Sequence, residues 1–211
     1  MDQGLFQKRL KKAQVIATLL SLVPFVRMVG LNGSMTRGTI KKASDIDFLI
    51  FTKHGRIWTA RFLVTVFTHL TGQRRYGNKV AGRICLNRYQ TDRFLEIKPH
   101  NEYSARVYSS LCPLYQANPR IYQEFQKANQ WMEEFGFKVK PAYKITGRHF
   151  KTFSLIQKSG EFLLSGYIGN VLEKFLRRYQ KQRILKDKRT YEAPAGSVRV
   201  SDWELCFHPR K

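Results

Sequence analysis

The sequence predicts an α/β (α+β) protein, a mixed sheet of about four or five strands with a helical region packed on or beside it. Three observations carry this. Apolar runs of strand length at residues 25–31, 45–52 and 83–90 are separated by stretches of helical period or length. From Asn101 the pattern turns helical. Alternation then returns in the terminal SVRVSDWELCFHP. The expected division is one domain over residues 1–100 and a helical region over 101–211, whose last strand rejoins the sheet.

Residues 4–22 set Leu5, Leu10, Val15, Ile16, Leu19 and Leu20 at largely helical spacing with basic residues between them, and Pro24 ends that helix. Residues 25–31 read as a short buried strand, Asn32-Gly33-Ser34 as a tight turn, and residues 35–39 as a brief helix or turn. The run FLIF gives the strand at 45–52 a central place in the sheet. After Gly55, residues 57–70 are apolar over a helical length too short for a bilayer, so they form a helix buried on the sheet. Residues 83–90 and 94–97 are expected as strands around a Thr91-Asp92 turn. The segments YSARVYSSLCPLY, RIYQEFQKANQWMEEF and FSLIQKSGEFLLSGYIGNVLEKFLRRYQKQRI are read as helices.

The chain carries 38 Lys and Arg against 15 Asp and Glu, a net charge of +23, which favours polyanionic partners. Between Lys138 and Arg189 there are 14 basic residues and three acids, so this stretch alone holds +11. Within it, EKFLRRYQKQRILKDKR interleaves Phe175 and Tyr179 with cations. Arg177, Arg178, Lys181 and Arg183 are therefore candidates for contact with RNA or other nucleic acid. Contact with anionic lipid is disfavoured because the apolar positions of this helix are expected to face the core.

The N-terminal QKRLKK followed by an apolar run resembles a leader, but Pro24 and Arg27 interrupt it and no small-x-small cleavage site follows. A cytoplasmic protein with no membrane partner is the expectation. Cys85, Cys112 and Cys206 form no CxxC pair and are read as small packed hydrophobes. The five histidines lack metal-ligand spacing, and His208 is read as a structural residue.

Asp45 and Asp47 lie two residues apart in a strand, so their carboxylates share one face and repel unless a cation sits between them. Paired hard oxygen donors suit Mg²⁺ or Mn²⁺, whose remaining coordination is completed by phosphate and water. Just upstream, Gly33 permits close backbone approach, Ser34 offers a hydroxyl, and Arg37 a planar fork for phosphate.

GSMTRGTIKKASDID resembles the signature of the DNA polymerase β-like nucleotidyltransferase superfamily: Gly-Ser, about ten residues, then Asp-x-Asp, with Arg37-Gly38 and Ser44 in register. Other segments, among them HGRIWTARFL, RICLN and ELCFHP, are similar to small bacterial nucleotidyltransferase-domain proteins. The resemblance implies a palm fold and transfer of a nucleoside monophosphate from a nucleoside triphosphate such as ATP to an acceptor hydroxyl. It also implies Mg²⁺ or Mn²⁺ on Asp45 and Asp47, with Gly33, Ser34, Arg37 and Ser44 at the nucleotide.

The superfamily usually adds a third carboxylate from a later strand, and residues 83–90 contain none. Asn87 stands at the plausible position as a metal ligand, with Glu96 or Asp92 as substitutes, Glu96 then acting in catalysis. Three outcomes stay open: Glu96 completes the site, one metal binds well and another weakly, or the protein is an antitoxin-like module that binds nucleotide or RNA without turnover. The basic region favours a nucleic-acid acceptor over a cationic small molecule.

Overall fold

Asp2 opens the first helix by accepting a hydrogen bond from the Leu5 N–H at 3.0 Å. In the computed structural model, which describes residues 2–143, 151–194 and 196–207, α1 (Gln3–Leu20) buries Phe6, Ala13, Ile16, Ala17 and Leu20 along one stripe. His208, Lys144 and Arg148 lie outside the described residues.

Among the described residues, the sheet has six strands: β1 (Val26–Asn32), β2 (Ile46–Thr52), β3 (Ile84–Thr91), β4 (Cys112–Gln116), β5 (Val198–Val200) and β6 (Glu204–Phe207). Their order is β4-β1-β2-β3-β6-β5. The β2–β3 pair alone is parallel, joined by the crossover helix α2 (Ile57–Leu70), so the sheet is mixed. Both faces of the central strands are covered, which explains the continuous apolar run FLIF. Phe48 and Ile50 pack on one face with residues of α1 and α2. Leu49 and Phe51 pack on the other with α3 (Glu102–Tyr108), α4 (Arg120–Ala128) and the 3₁₀ segment Gln130–Phe135.

The later helices are α5 (Lys151–Leu163), α6 (Gly166–Lys186) and the short α7 (Lys188–Tyr191). No side chain of its own caps α2. Glu173 of α6 does so instead, accepting from the N–H groups of Trp58 and Thr59 at 3.0 and 2.9 Å.

Two elements differ from the sequence expectation. YSARVYSSLCPLY does not stay helical: α3 ends at Tyr108, and β4 begins at Cys112 as the edge partner of β1. Pro113 suits an edge strand because its missing N–H need not serve a second neighbour. Residues 94–97 form no strand. They pass back over the sheet face, burying Leu95 and Ile97, and side chains replace the missing ladder, since Gln90 donates to the Glu96 carbonyl and the Ile97 N–H donates to Asn129. The place beside β3 is taken by β6. The sheet thus draws on both halves of the chain.

The apolar positions of α6 are also split. Leu176 and Ile184 are buried, but Tyr167, Ile168, Val171 and Phe175 are exposed.

Candidate active site

The site is assembled where β1 ends and β2 and β3 begin. Asn32 is the register partner of Asp47 across the antiparallel pair, and Cys85 is its partner across the parallel pair. Register partners project to the same face, so Asn32, Asp47 and Cys85 form a row, with Asp45 two residues before Asp47. The donor atoms of Asp45, Asp47 and Cys85 all lie within 4.8 Å of one another. The two carboxylates therefore converge, as alternation along a strand requires.

The loop before β2 is held from α1. The buried Arg9 guanidinium donates to the carbonyls of Lys41, at 2.9 Å, and Lys42, and Lys12 reaches the Gly82 carbonyl at 2.7 Å. The turn after β1 is shaped by Gly33, whose φ of +75° suits glycine. A Cβ there would lie 2.1 Å from Asp47 Oδ2, so only glycine lets the backbone pass this close to the carboxylate. Among the described residues the N–H groups of Ser34, Met35 and Thr36 find no acceptor in the protein, which leaves a cradle for an anion.

Electrostatics mark Asp47 as the uncomfortable member. Burial, then the neighbouring Asp45, pushes its carboxyl up to about 7, against the opposing pull of Arg75 and the Asn87 amide. Burial and the two carboxylates push the Cys85 thiol up to about 12. Arg75 donates to Asp45 Oδ2 at 2.7 Å and lies 3.7 Å from Cys85 Sγ. Four buried polar atoms of the residues around the carboxylates lack a partner among the described residues: both amide atoms of Asn32, Ser34 Oγ and Asn87 Oδ1. Such orphans are rare in folded proteins and cost about 1–3 kcal/mol each unless a ligand or water meets them. Their convergence on paired carboxylates fits a hydrated divalent cation and the phosphates it carries.

Of the expected residues, the structure brings together Gly33, Ser34, Asp45, Asp47 and Asn87. The Asn87 amide donates to Asp47 Oδ1 at 3.0 Å. Arg37 lies exposed on the turn. Ser44 closes its own loop, its hydroxyl accepting from the Lys41 N–H at 3.0 Å. Glu96 is not brought to the site. It pairs with His100 and Lys98, beside Gln90, five residues along β3 from Cys85 and so roughly 16 Å away. Asp92 accepts from the His54 N–H at the same far end. Because β3 runs parallel to β2, a third ligand must come from its start. Cys85 holds that place, its Sγ within 4.8 Å of both carboxylates and half-buried, not packed in the core.

Arg177, Arg178, Lys181 and Arg183 are exposed on α6. Arg177 pairs at 2.8 Å with Asp202, which lies in the turn that leads into β6 at the far end of β3.

The nucleotidyltransferase domain family matches residues 12–135, a span that contains Asn32, Gly33, Ser34, Asp45, Asp47, Arg75, Cys85 and Asn87. The chain belongs to that family. No curated protein and no solved structure matched it. The nucleotidyltransferase match runs past residue 100 through β4 and α4, in agreement with a sheet completed from beyond that point. Sequence reasoning missed Asn32, Arg75 and Cys85. Asn32 directly precedes the Gly-Ser pair and could have been found there, whereas Cys85 and Arg75 are visible only once the register of β3 is known.

Proposed function

We propose that this nucleotidyltransferase is an active, divalent-metal-dependent enzyme that moves a nucleoside monophosphate from a nucleoside triphosphate to an acceptor hydroxyl, the acceptor being RNA or another nucleic acid. One observation carries this reading: the Asp45 and Asp47 carboxylates converge beside a glycine turn, and neighbouring buried polar atoms of Asn32, Ser34 and Asn87 find no partner among the described residues.

Asp45 and Asp47 would hold the metal, with the Asn87 oxygen beside them, while Cys85, a soft thiol kept protonated by burial and the two carboxylates, stands where a third hard ligand would be and does not supply one. Mg²⁺ or Mn²⁺ bound there would neutralise charge developing at the α-phosphate and on the leaving pyrophosphate. The protein's own groups supply the rest. The N–H groups of Ser34, Met35 and Thr36 and the Ser34 hydroxyl grip the triphosphate tail, and Arg37 lies over it as a planar fork. Arg75 holds Asp45 in place, and Asn87 does the same for Asp47. The surplus of +23 concentrates a polyanionic acceptor near the site.

The experiment is incubation of the protein with each labelled nucleoside triphosphate, Mg²⁺ or Mn²⁺ and RNA. Labelled RNA and released pyrophosphate are expected, both lost in the Asp45→Ala, Asp47→Ala variant. A second reading, a binding module without turnover, is favoured by the replacement of the third carboxylate with Cys85 and Asn87. It predicts an RNA gel shift that survives that double substitution, with no pyrophosphate.

A further inference from the structure

We propose that the exposed apolar and basic stripes of α6, with the end of α5 that leads into it, form an in-plane docking surface for an anionic lipid bilayer. The exposure of this face is large and one-sided. Phe162 and Leu163 at the end of α5 are 81% and 72% exposed, and Tyr167, Ile168 and Phe175 of α6 are 83%, 72% and 64% exposed. The α6 residues Tyr167, Ile168, Val171, Leu172 and Phe175 line one patch, and an exposed apolar patch of this kind marks a surface that something covers.

The opposite faces of both helices are accounted for. Glu161 of α5 pairs with Arg27 at 2.6 Å, and Gln157 donates to the carbonyls of Val23 and Val26 at 3.1 and 2.8 Å, so α5 docks at the start of β1. On α6, Gly169, Leu176, Gln180 and Ile184 are buried, and Gln180 donates to the Trp58 carbonyl at 2.8 Å. The exposed apolar groups are thus left over after packing.

Charge decides what covers them. The Tyr167–Phe175 stripe lines an open apolar groove, and Lys174, Arg177, Arg178 and Lys181 line a basic one on the adjoining face of the same helix. Glu161 and Glu173, the acids of these two helices nearest the stripe, turn to Arg27 and to the start of α2, and Asp202 balances Arg177, which leaves Lys174, Arg178 and Lys181 to carry the charge of the stripe. A second copy seated on this face would set cations against cations. Nucleic acid would satisfy the cations and the aromatic rings but leave Leu163 and Ile168 in water. A bilayer with anionic headgroups meets both stripes, the apolar one entering the acyl boundary and the basic one lying along the headgroups. No helix among the described residues is long and apolar enough to cross a membrane, so the contact is in-plane.

Docking in this way leaves the site open. Arg177 is tied to Asp202 beyond the end of β3, whereas Asp45, Asp47 and Cys85 lie at its start, about 20 Å away along the strand.

The test is flotation of the full chain with phosphatidylcholine vesicles, with and without phosphatidylglycerol, at physiological salt. Co-flotation with the anionic vesicles alone is expected. The Phe162→Asp, Phe175→Asp variant should partition at least about tenfold more weakly, as removal of buried aromatic groups requires, while its melting temperature stays within a few degrees of the parent's. Equal flotation of parent and variant would overturn the proposal, because the +23 surplus alone would then be holding the vesicles. It would also be overturned by absence of the parent from anionic vesicles, by a parent dimer that the variant converts to monomer, or by an RNA gel shift lost in the variant without any vesicle binding by the parent.

Discussion

Asn87 Nδ2 donates to Asp47 Oδ1 at 3.0 Å, and the oxygen of the same amide is buried with no partner among the described residues. One residue therefore steadies one of the paired carboxylates and holds an acceptor atom in reserve beside it.

Replacing Asn87 with Ala removes both roles. The expected outcome is a loss of roughly 10–100-fold in Mn²⁺ affinity, the usual effect of removing a group that supports a ligand. Isothermal titration with Mn²⁺ reads this directly, and an unchanged affinity would assign Asn87 a packing role only.

Cys85 stands across from Asp47 on β3, where a carboxylate would face both aspartates. Cys85→Asp is expected to bind Mg²⁺ roughly 10–100-fold more tightly than the parent and to raise pyrophosphate release in Mg²⁺. Without metal the variant should melt lower, since three carboxylates then crowd one buried corner. Calorimetry with and without EDTA separates the two effects.

The metal-free protein should lose stability as pH rises. Asp47 has an ordinary value of 3.8 and is pushed up to about 7 by burial and Asp45. The folded chain thus holds a proton that the unfolded chain has released between those values. Its contribution is fully present below about pH 4 and lost as pH rises through about 7. Thermal melts in EDTA should show a downward slope across that window, flattened in Asp47→Asn, and saturating Mn²⁺ should raise the melting temperature most above pH 7. A parent slope identical to that of Asp47→Asn would show that Asp47 does not carry the effect.

Glu173 links α6 to α2 by capping two N–H groups. Glu173→Ala should lower unfolding free energy by about 1–2 kcal/mol in urea, whereas Glu173→Gln, which retains an acceptor, should recover part of the loss. Equal stability of all three would remove the cap from the account.

Much of this was legible in the sequence. Residues 57–70 read as a buried helix because they are apolar, of helical length and bounded by glycines, and α2 has those limits. Asp45 and Asp47 declared themselves because acids are scarce in so basic a chain. Residues 94–97 misled because their alternation is that of a strand, while burial of Leu95 and Ile97 under the helices, with backbone groups met by Gln90 and Asn129, gives the same pattern without a ladder. Cys85 was illegible for a different reason. Its role comes from a parallel pairing, a long-range relation that no local pattern encodes.

The most direct measurement of the central claim is calorimetric titration of a non-hydrolysable nucleoside triphosphate into the protein with Mn²⁺, with EDTA, and into Asp45→Asn, Asp47→Asn. The account predicts nucleotide uptake that requires the metal and disappears in the double variant while the fold persists. Uptake that is equal in EDTA or in the double variant, or absent with metal present, would contradict it.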